Sequence, residues 1–215
     1  TLELTGITVS FNSAPLEWWL SLPIIVIYPL LFGWVSYQTA TKLAEHKRRL
    51  QVMSTRDGMT GVYNRRHWET MLRNEFDNCR RHNRDATLLI IDIDHFKSIN
   101  DTWGHDVGDE AIVALTRQLQ ITLRGSDVIG RFGGDEFAVI MSGTPAESAI
   151  TAMLRVHEGL NTLRLPNTPQ VTLRISVGVA PLNPQMSHYR EWLKSADLAL
   201  YKAKKAGRNR TEVAA

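Results

Sequence analysis

The sequence has few of the residues that mark several common classes of protein. It contains one cysteine, Cys79, in 215 residues. An internal disulfide framework or a zinc site of several cysteines is therefore excluded, and a reducing compartment is the simple expectation. The net charge is only +3, which is too small to indicate nucleic acid as a partner. Charged residues still make up 22% and hydrophobic residues 43%, which excludes a disordered tail and a fibre.

Familiar catalytic signatures are missing as well. There is no Gly-x4-Gly-Lys-Ser/Thr loop, no Gly-x-Gly-x-x-Gly after a strand, no His-Glu-x-x-His and no Gly-x-Ser-x-Gly. These absences speak against a P-loop enzyme, a dinucleotide-binding enzyme, a zinc protease and an α/β-hydrolase. The 7 histidines are scattered along the chain, so we expect no metal site built from them.

One stretch lacks charge altogether. From Trp18 to Thr41 there is no Asp, Glu, Lys or Arg. A helix of that length, rising about 1.5 Å per residue, spans the roughly 30 Å hydrocarbon core of a bilayer. The sequence therefore predicts a transmembrane helix over 18–41 and an extracytoplasmic lead-in over 1–17. The alternatives are a buried core helix or a signal peptide, and both are usually shorter. Because the first residue is Thr1, we expect the chain to begin partway through a longer protein.

Basic residues follow the uncharged run, at Lys42, Lys47, Arg48, Arg49 and Arg56. Lys and Arg collect on the cytoplasmic side of a membrane span, so everything C-terminal is expected in the cytoplasm. Residues 42–56 predict a short linker helix. Leu43 and Leu50 lie one heptad apart and would let that helix pair with a second copy, although a solvated helix explains the pattern nearly as well.

From residue 57 to 210 helical and strand patterns alternate, which predicts an α/β domain with a mixed central sheet flanked by helices, followed by a tail over 211–215. The expected helices are Arg65–Arg81, Asp109–Leu123, a helix capped by Thr144 that ends near Leu163, and Tyr189–Ala206 before Gly207. The expected strands are Ala86–Asp92, Val171–Val179 and a hairpin of Asp127–Phe132 and Glu136–Met141, whose Gly133-Gly134 turn is expected to need positive φ angles.

Acidic residues cluster where two of these strands meet loops. Asp92 and Asp94 close one strand, and Asp135 and Glu136 follow the glycine turn. Neighbouring carboxylates repel unless a cation neutralises them, and Mg²⁺ is commonly held by one or two carboxylates together with substrate phosphates. Lysines and an arginine that could balance phosphate charge are Lys97, Lys204, Lys205 and Arg208. This pattern favours phosphoryl transfer, while an ordinary turn and a solvated basic helix remain the alternative.

The motifs together resemble one known family. Gly133-Gly134-Asp135-Glu136-Phe137 is its signature, and the chain is identified as a member of the GGDEF family of diguanylate cyclases. Further segments resemble family motifs in the same order: Asp57 to Arg66, with Met59 where Leu is usual, Asp92 to Asp101, Gly104 to Asp109, and Tyr201 to Asn209. The uncharged run resembles the last span of the membrane sensor in AdrA-type cyclases. The resemblance implies a GGDEF, nucleotidyl-cyclase-like fold in a bacterial inner membrane protein of biofilm signalling.

The resemblance also implies a reaction and its residues. Two GTP molecules would condense to cyclic di-GMP and two pyrophosphates. Two Mg²⁺ per site are expected, with Mn²⁺ as the other candidate ion, on Asp92, the Ile93 carbonyl, Asp135 and Glu136. Asp135 resembles the general base and Lys97 the lysine that stabilises the transition state. Residues that resemble substrate contacts are Asn100 and Asp109 for guanine, His105, and Lys204 and Arg208 for phosphate.

Two further expectations concern regulation and assembly. The product joins two guanosines, so a homodimer is implied, with each chain holding one GTP. Arg124 and Asp127 resemble the family's product-inhibition site for cyclic di-GMP. Two alternatives stay open: a binding module that senses GTP or cyclic di-GMP without turnover and regulates a partner, which intact Asp135 and Lys97 oppose, and a cyclase for ATP, which Asn100 and Asp109 oppose.

Overall fold

The computed structural model describes residues 3–4, 7–8, 27–43, 55–166, 168 and 170–214. The chain divides into two compact units, Thr1–Met53 and Ser54–Ala215. In the first unit β1 (Glu3–Leu4) pairs antiparallel with β2 (Ile7–Thr8), and α1 covers residues 27–43 with exposed side chains. None of the described helices combines the length and the apolar character that a membrane crossing needs. Residues 18–26 and 44–54, which belong to the predicted span and linker helix, lie outside the described residues.

The second unit is built on a six-stranded mixed sheet, as predicted. In spatial order its strands are β3 (Tyr63–Asn64), β5 (Val128–Arg131), β6 (Glu136–Ser142), β4 (Ala86–Ile93), β7 (Ile175–Pro181) and β8 (Thr211–Val213). β4 is antiparallel to both of its neighbours, and the outer pairs β3–β5 and β7–β8 are parallel.

Helices cover both faces of this sheet. They are α2 (Arg65–His82), α3 (Phe96–Trp103), α4 (His105–Thr122), α5 (Ala146–Thr162) and α6 (Tyr189–Lys205). Every residue of β4 is buried, because its alternate side chains enter two cores. Leu89 and Ile91 pack with α4 and α5, whereas Leu88 and Ile90 pack with α2 and α6. The ends of β4 are thereby fixed between two layers of helices.

Several expected boundaries were wrong. α3 was not predicted, because its eight residues carry no fully buried side chain to create a helical pattern. β7 begins at Ile175 rather than Val171, although Val171 and Leu173 are buried. The expected tail contains β8, an edge strand whose bonds to β7 have no local sequence signal.

Two predictions about local backbone geometry were also wrong. Pro145, not Thr144, is the N-cap of α5, with an extended ψ of 162°. The Thr144 hydroxyl instead donates to the Ser142 carbonyl at 3.1 Å. Gly133 and Gly134 are not among the positive-φ glycines, because residues 132–135 form a four-residue connection rather than a two-residue turn.

α6 lies unusually close to the sheet at Gly178 of β7. A Cβ built on Gly178 would collide with the Ala196 carbonyl oxygen and the Leu200 amide nitrogen and would stand 2.9 Å from the Leu200 Cα. Only a glycine permits this approach without moving backbone. The contact sets the height of α6 above the sheet, and therefore the position of Lys204 in its last turn.

Candidate active site

The predicted carboxylates meet at one end of the central strands. Asp92, near the end of β4, is paired in register with Glu136 of β6 on one side and with Ser176 of β7 on the other. The Ile93 amide donates to the Asp135 carbonyl oxygen at 3.3 Å. The antiparallel pairing therefore brings together Asp92, Ile93, Asp135 and Glu136, as the sequence predicted.

Charges of both signs lie near the buried Asp92 carboxylate. It is only 8% exposed, and the Lys204 Nζ lies 2.8 Å from its Oδ2. Burial raises the pKa of Asp92 and the neighbouring charges of Asp135 and Glu136 add to that effect, while Lys204 opposes it. Because burial penalises the charged carboxylate and two further acids lie nearby, a cation at this point would stabilise the ionised form of Asp92.

Residues 132–135 form the turn beside this cluster. The amides of Phe132 and Gly133 donate to the Glu136 carbonyl oxygen at 2.8 and 3.2 Å. A Cβ on Gly133 would lie 3.0 Å from the Glu136 Oε2, whereas a Cβ on Gly134 would face open space. The two glycines are therefore not needed for unusual φ angles. Gly134 has no side chain, which leaves its backbone accessible to a bulky anionic ligand.

Arg131 fixes this turn to the beginning of the domain. Its guanidinium donates to the Gly134 carbonyl oxygen at 2.7 Å and to the Asp57 Oδ1 at 3.2 Å. Burial would raise the pKa of Asp57, but hydrogen bonds from Thr60 and the Arg131 charge outweigh it and hold the pKa below its ordinary value. The sequence prediction assigned no role to Arg131 or Asp57, although the matching position of Asp57 in the opening motif was a usable signal.

The candidate guanine contacts lie on α3 and α4. The Asn100 side chain packs on Gly108, where a Cβ would collide with its Oδ1. This Oδ1 is buried and has no hydrogen-bond partner in the structure, which is costly unless a ligand donor completes it. Asp109, the next residue after Gly108, is exposed. Asn100 therefore packs against the α4 residue that precedes Asp109, and its Oδ1 is an unused acceptor.

Lys204, one of the predicted phosphate contacts, is the partner of Asp92, and three other predicted residues lie on or beside α3, α4 and α6. Lys97 is exposed in the first turn of α3, and His105 is exposed at the start of α4. Arg208 follows α6 with a φ of 61°. A cavity of about 670 Å³ lies along α4, and Asp109 is the one predicted site residue in its lining. The candidate site is therefore defined by the carboxylates rather than by this cavity.

Arg124 and Asp127 lie at the other end of β5 from the turn, so the four residues of β5 separate them by roughly 13 Å at about 3.3 Å per residue. The Arg124 amide donates to the Asp127 Oδ2 at 2.9 Å. The Asp127 Oδ1 is buried without a hydrogen-bond partner in the structure, and burial raises the pKa of Asp127. A cavity of about 210 Å³ beside the pair is also lined by Arg155.

The site residues fit Mg²⁺ without forming a closed metal cage. Within the described ranges, no three His, Cys, Asp or Glu side chains are grouped as a ready-made metal site. The pairing of Lys204 with Asp92 shows that this carboxylate accepts a cation. One or two carboxylates completed by phosphate oxygens and waters are the usual environment of Mg²⁺ in nucleotide sites. Asp92, Asp135 and Glu136 supply that environment.

Comparison with known proteins agrees with this geometry. Residues 54–210 match the family described as diguanylate cyclase, GGDEF domain. The chain therefore belongs to the GGDEF family of diguanylate cyclases. It is 35% identical to diguanylate cyclase DosC of Escherichia coli K12 over 73% of its own length, which is 34% of DosC. It is also 30% identical, over 84% of its length, to 25% of the cyclic di-GMP phosphodiesterase NbdA of Pseudomonas aeruginosa.

A solved structure shares the fold. The GGDEF domain of DgcB from Caulobacter crescentus, crystallised with c-di-GMP, is 30% identical and matches with a TM-score of 0.71 over 74% of this chain and 93% of that one. The chain spans about a third of the length of the first curated relatives that it matches. What those whole proteins do is therefore considered as a proposal below.

Proposed function

We propose that the chain condenses two GTP molecules into cyclic di-GMP. In each of two steps a ribose 3′-oxygen bonds to the α-phosphorus of the other GTP, the bond to the β-phosphate oxygen breaks, and pyrophosphate leaves. The observation that carries the proposal is the cluster of Asp92, Asp135 and Glu136 facing Lys204 at one end of the sheet. Membership of the family and the c-di-GMP bound to DgcB support it.

Each residue has a defined task in this proposal. Asp135 takes the proton of the attacking 3′-hydroxyl as general base. Lys97, Lys204 and Arg208 balance the charge of the phosphates, and Asn100 and Asp109 accept hydrogen bonds from guanine. Asp92, Asp135, Glu136 and the Ile93 carbonyl would hold Mg²⁺, which would lower the pKa of the attacking hydroxyl and neutralise charge on the phosphate.

The direct test uses the purified 215-residue chain with GTP and Mg²⁺. Chromatography should detect cyclic di-GMP and two pyrophosphates for each product molecule. ATP at the same concentration should give no cyclic product. Binding of GTP without any product would overturn the proposal.

Replacing Asp109 with Ala should reduce kcat/KM for GTP by about ten- to hundredfold, because a hydrogen bond to a charged group contributes roughly 1.5–3 kcal/mol. The measurement is steady-state kinetics with GTP and with ATP. Asp106→Ala, an exposed acid in the first turn of the same helix, is the matched control and should leave kcat/KM unchanged. An unaltered preference for GTP over ATP in Asp109→Ala would contradict the assignment.

We further propose that the active species is a homodimer. The product contains two guanosines, whereas each chain offers one set of Asp92, Asn100 and Asp109. Two such sites facing each other across a two-fold axis would supply both nucleotides. Specific activity should therefore rise with protein concentration until the dimer is saturated, and a concentration-independent value at high dilution would argue against the dimer.

We also propose a membrane tether in the bacterial inner membrane, with the domain in the cytoplasm. The support is the uncharged run 18–41 followed by basic residues. A tether would raise the effective concentration of paired domains. Cell fractionation tests it: the chain should stay in the membrane pellet after alkaline carbonate washing, and release into the soluble fraction would contradict the tether.

Product inhibition at Arg124 and Asp127 is the last part of the proposal. The unused buried Oδ1 of Asp127 suits the N–H groups of guanine. Arg124 and Arg155 around the same cavity offer planar guanidinium groups to guanine or phosphate. The pair lies away from the catalytic turn, so inhibition there would be a coupling between two sites.

Replacing Arg124 with Ala should shift the inhibition curve for cyclic di-GMP to concentrations about tenfold higher or more, because a charge-assisted contact is lost. The measurement is initial rate against added cyclic di-GMP. Arg117→Ala, an exposed residue of α4, should behave as the wild type. Identical curves for Arg124→Ala and the wild type would remove this site from the proposal.

One observation favours a second candidate function. The match to NbdA, named a cyclic di-GMP phosphodiesterase, covers 84% of this chain but only 25% of that protein. A similar segment therefore occurs within a protein named for another activity. The candidate is a module that binds GTP or cyclic di-GMP and regulates a partner without turnover. The product assay above separates the two.

A further inference from the structure

Asp94 is a buried acid that the proposed reaction does not use. It follows β4 directly and is 5% exposed. Its Oδ1 accepts from the Ser176 hydroxyl at 2.6 Å, and its Oδ2 accepts from the backbone amide of Asn209 at 2.8 Å. Both oxygens are thus bonded to protein groups. Although Asp94 stands two positions from Asp92, its carboxylate is directed into the protein rather than toward a metal.

The segment that Asp94 holds is strained. Gly207, Arg208 and Asn209 have φ angles of 110°, 61° and 46°. Two non-glycine residues in succession occupy the left-handed region, which costs free energy for L-residues. Such a conformation persists only when surrounding contacts fix it. One is the Arg208 amide, which donates to the Ala203 carbonyl oxygen at 3.0 Å; another is the bond from Asn209 to Asp94.

The chain is held again just after this turn. The His157 Nε2 on α5 lies 3.2 Å from the Thr211 hydroxyl at the start of β8. Asp94 and His157 therefore hold residues 209 and 211 from two different elements. The Arg208 backbone is held directly by the Ala203 carbonyl oxygen and, through the next residue, by Asp94. Arg208 is also close in sequence to Lys204, which pairs with Asp92.

We propose that Asp94 is a positioning residue that, through the amide of Asn209, holds the strained 207–209 turn and so directs Arg208 at the phosphates of the substrate. The proposal rests on the proposed function for the identity of that substrate. Asp94 acts through the turn and touches neither substrate nor metal.

The test replaces Asp94 with Asn, which has nearly the same shape. Its amide N–H can donate to the Ser176 Oγ and its carbonyl oxygen can still accept from the Asn209 backbone amide, but that second bond is no longer charge-assisted. KM for GTP should rise roughly tenfold, as expected when one hydrogen bond loses its charge assistance, with a smaller change in kcat. Ser176→Ala, which frees one oxygen of Asp94 but keeps the Asn209 bond, should raise KM less.

A double-mutant cycle with Arg208→Ala identifies the route. If Asp94 acts through Arg208, the KM increase of Asp94→Asn disappears in the Arg208→Ala background. Full additivity of the two changes would overturn the proposal. Thr87→Val is the control for lost stability: it removes a buried hydroxyl that donates to the Thr144 carbonyl oxygen at 2.7 Å near the other end of β4. It should lower the unfolding midpoint without changing KM.

Hydrogen exchange provides a readout that needs no turnover. In Asp94→Asn the amides of residues 208–210 should exchange at least about tenfold faster than in the wild type, while amides of the α2 core remain protected. Unchanged exchange at 208–210 would overturn the positioning role even if activity fell. A wild-type chain that made no cyclic di-GMP would instead refute the proposed function, and the exchange result would still decide whether Asp94 holds the turn.

Discussion

Asp135→Asn should abolish conversion of GTP, with kcat reduced by at least about a hundredfold, which is the lower end of what a general base contributes. An asparagine amide takes no proton, and it is a poorer ligand for a hard cation than a carboxylate. The change conserves shape, and the bond from the Ile93 amide to Asp135 uses the backbone carbonyl. The turn should therefore keep its structure while chemistry is lost.

The measurement is single-turnover formation of cyclic di-GMP at millimolar Mg²⁺, together with the unfolding midpoint of each variant. Asp77→Asn, which removes one exposed carboxylate from α2, is the matched control and should keep full activity. Near-normal turnover by Asp135→Asn would show that another group takes the proton. An unfolded variant would be recognised by its midpoint and would not count as loss of chemistry.

Gly178→Ala should have the largest effect on stability. The added Cβ would collide with backbone atoms of Ala196 and Leu200. Backbone atoms in the middle of a packed helix cannot relieve such a collision by a change of rotamer, as a side chain could. Overpacking of this kind costs typically 1–3 kcal/mol and sometimes more. Because α6 must move away from β7, Lys204 should also lose its contact with Asp92, so activity should fall together with stability.

Chemical denaturation followed by circular dichroism measures the first effect, and GTP turnover under native conditions the second. Gly58→Ala is a suitable comparison, because a Cβ at that position has nothing within 4 Å and should cost little. A Gly178→Ala chain as stable as the wild type would mean that the separation of α6 and β7 adjusts freely.

The sequence could predict the parts of the fold that local patterns encode. The apolar run of β4, the periodic faces of α2 and the stop at Gly207 correspond to the structure closely. The carboxylate cluster could be predicted because short motifs place each acid at a strand end. α3 and β8 were missed, since a short half-exposed helix and an edge strand leave no strong periodicity.

The contacts that position the site were not predictable in the same way. Asp94 binds Ser176 and Asn209, which lie 82 and 115 residues away along the chain. Arg131 reaches Asp57 across 74 residues. Such bonds depend on which strands become neighbours in the sheet, and a single sequence carries no local trace of that. The transmembrane helix stays a prediction, because part of 18–41 lies outside the described residues.

The position of Arg131 has a mechanical consequence. One guanidinium, on the last residue of β5, connects the first motif of the domain, at Asp57, to the carbonyl oxygen of Gly134 in the turn of residues 132–135. Two side chains, those of Asp57 and Arg131, are therefore enough to link the start of the domain to the turn that carries Asp135. A displacement of Asp57 changes the anchorage of this turn, so the geometry around Asp135 depends on the position of the first residues of the domain.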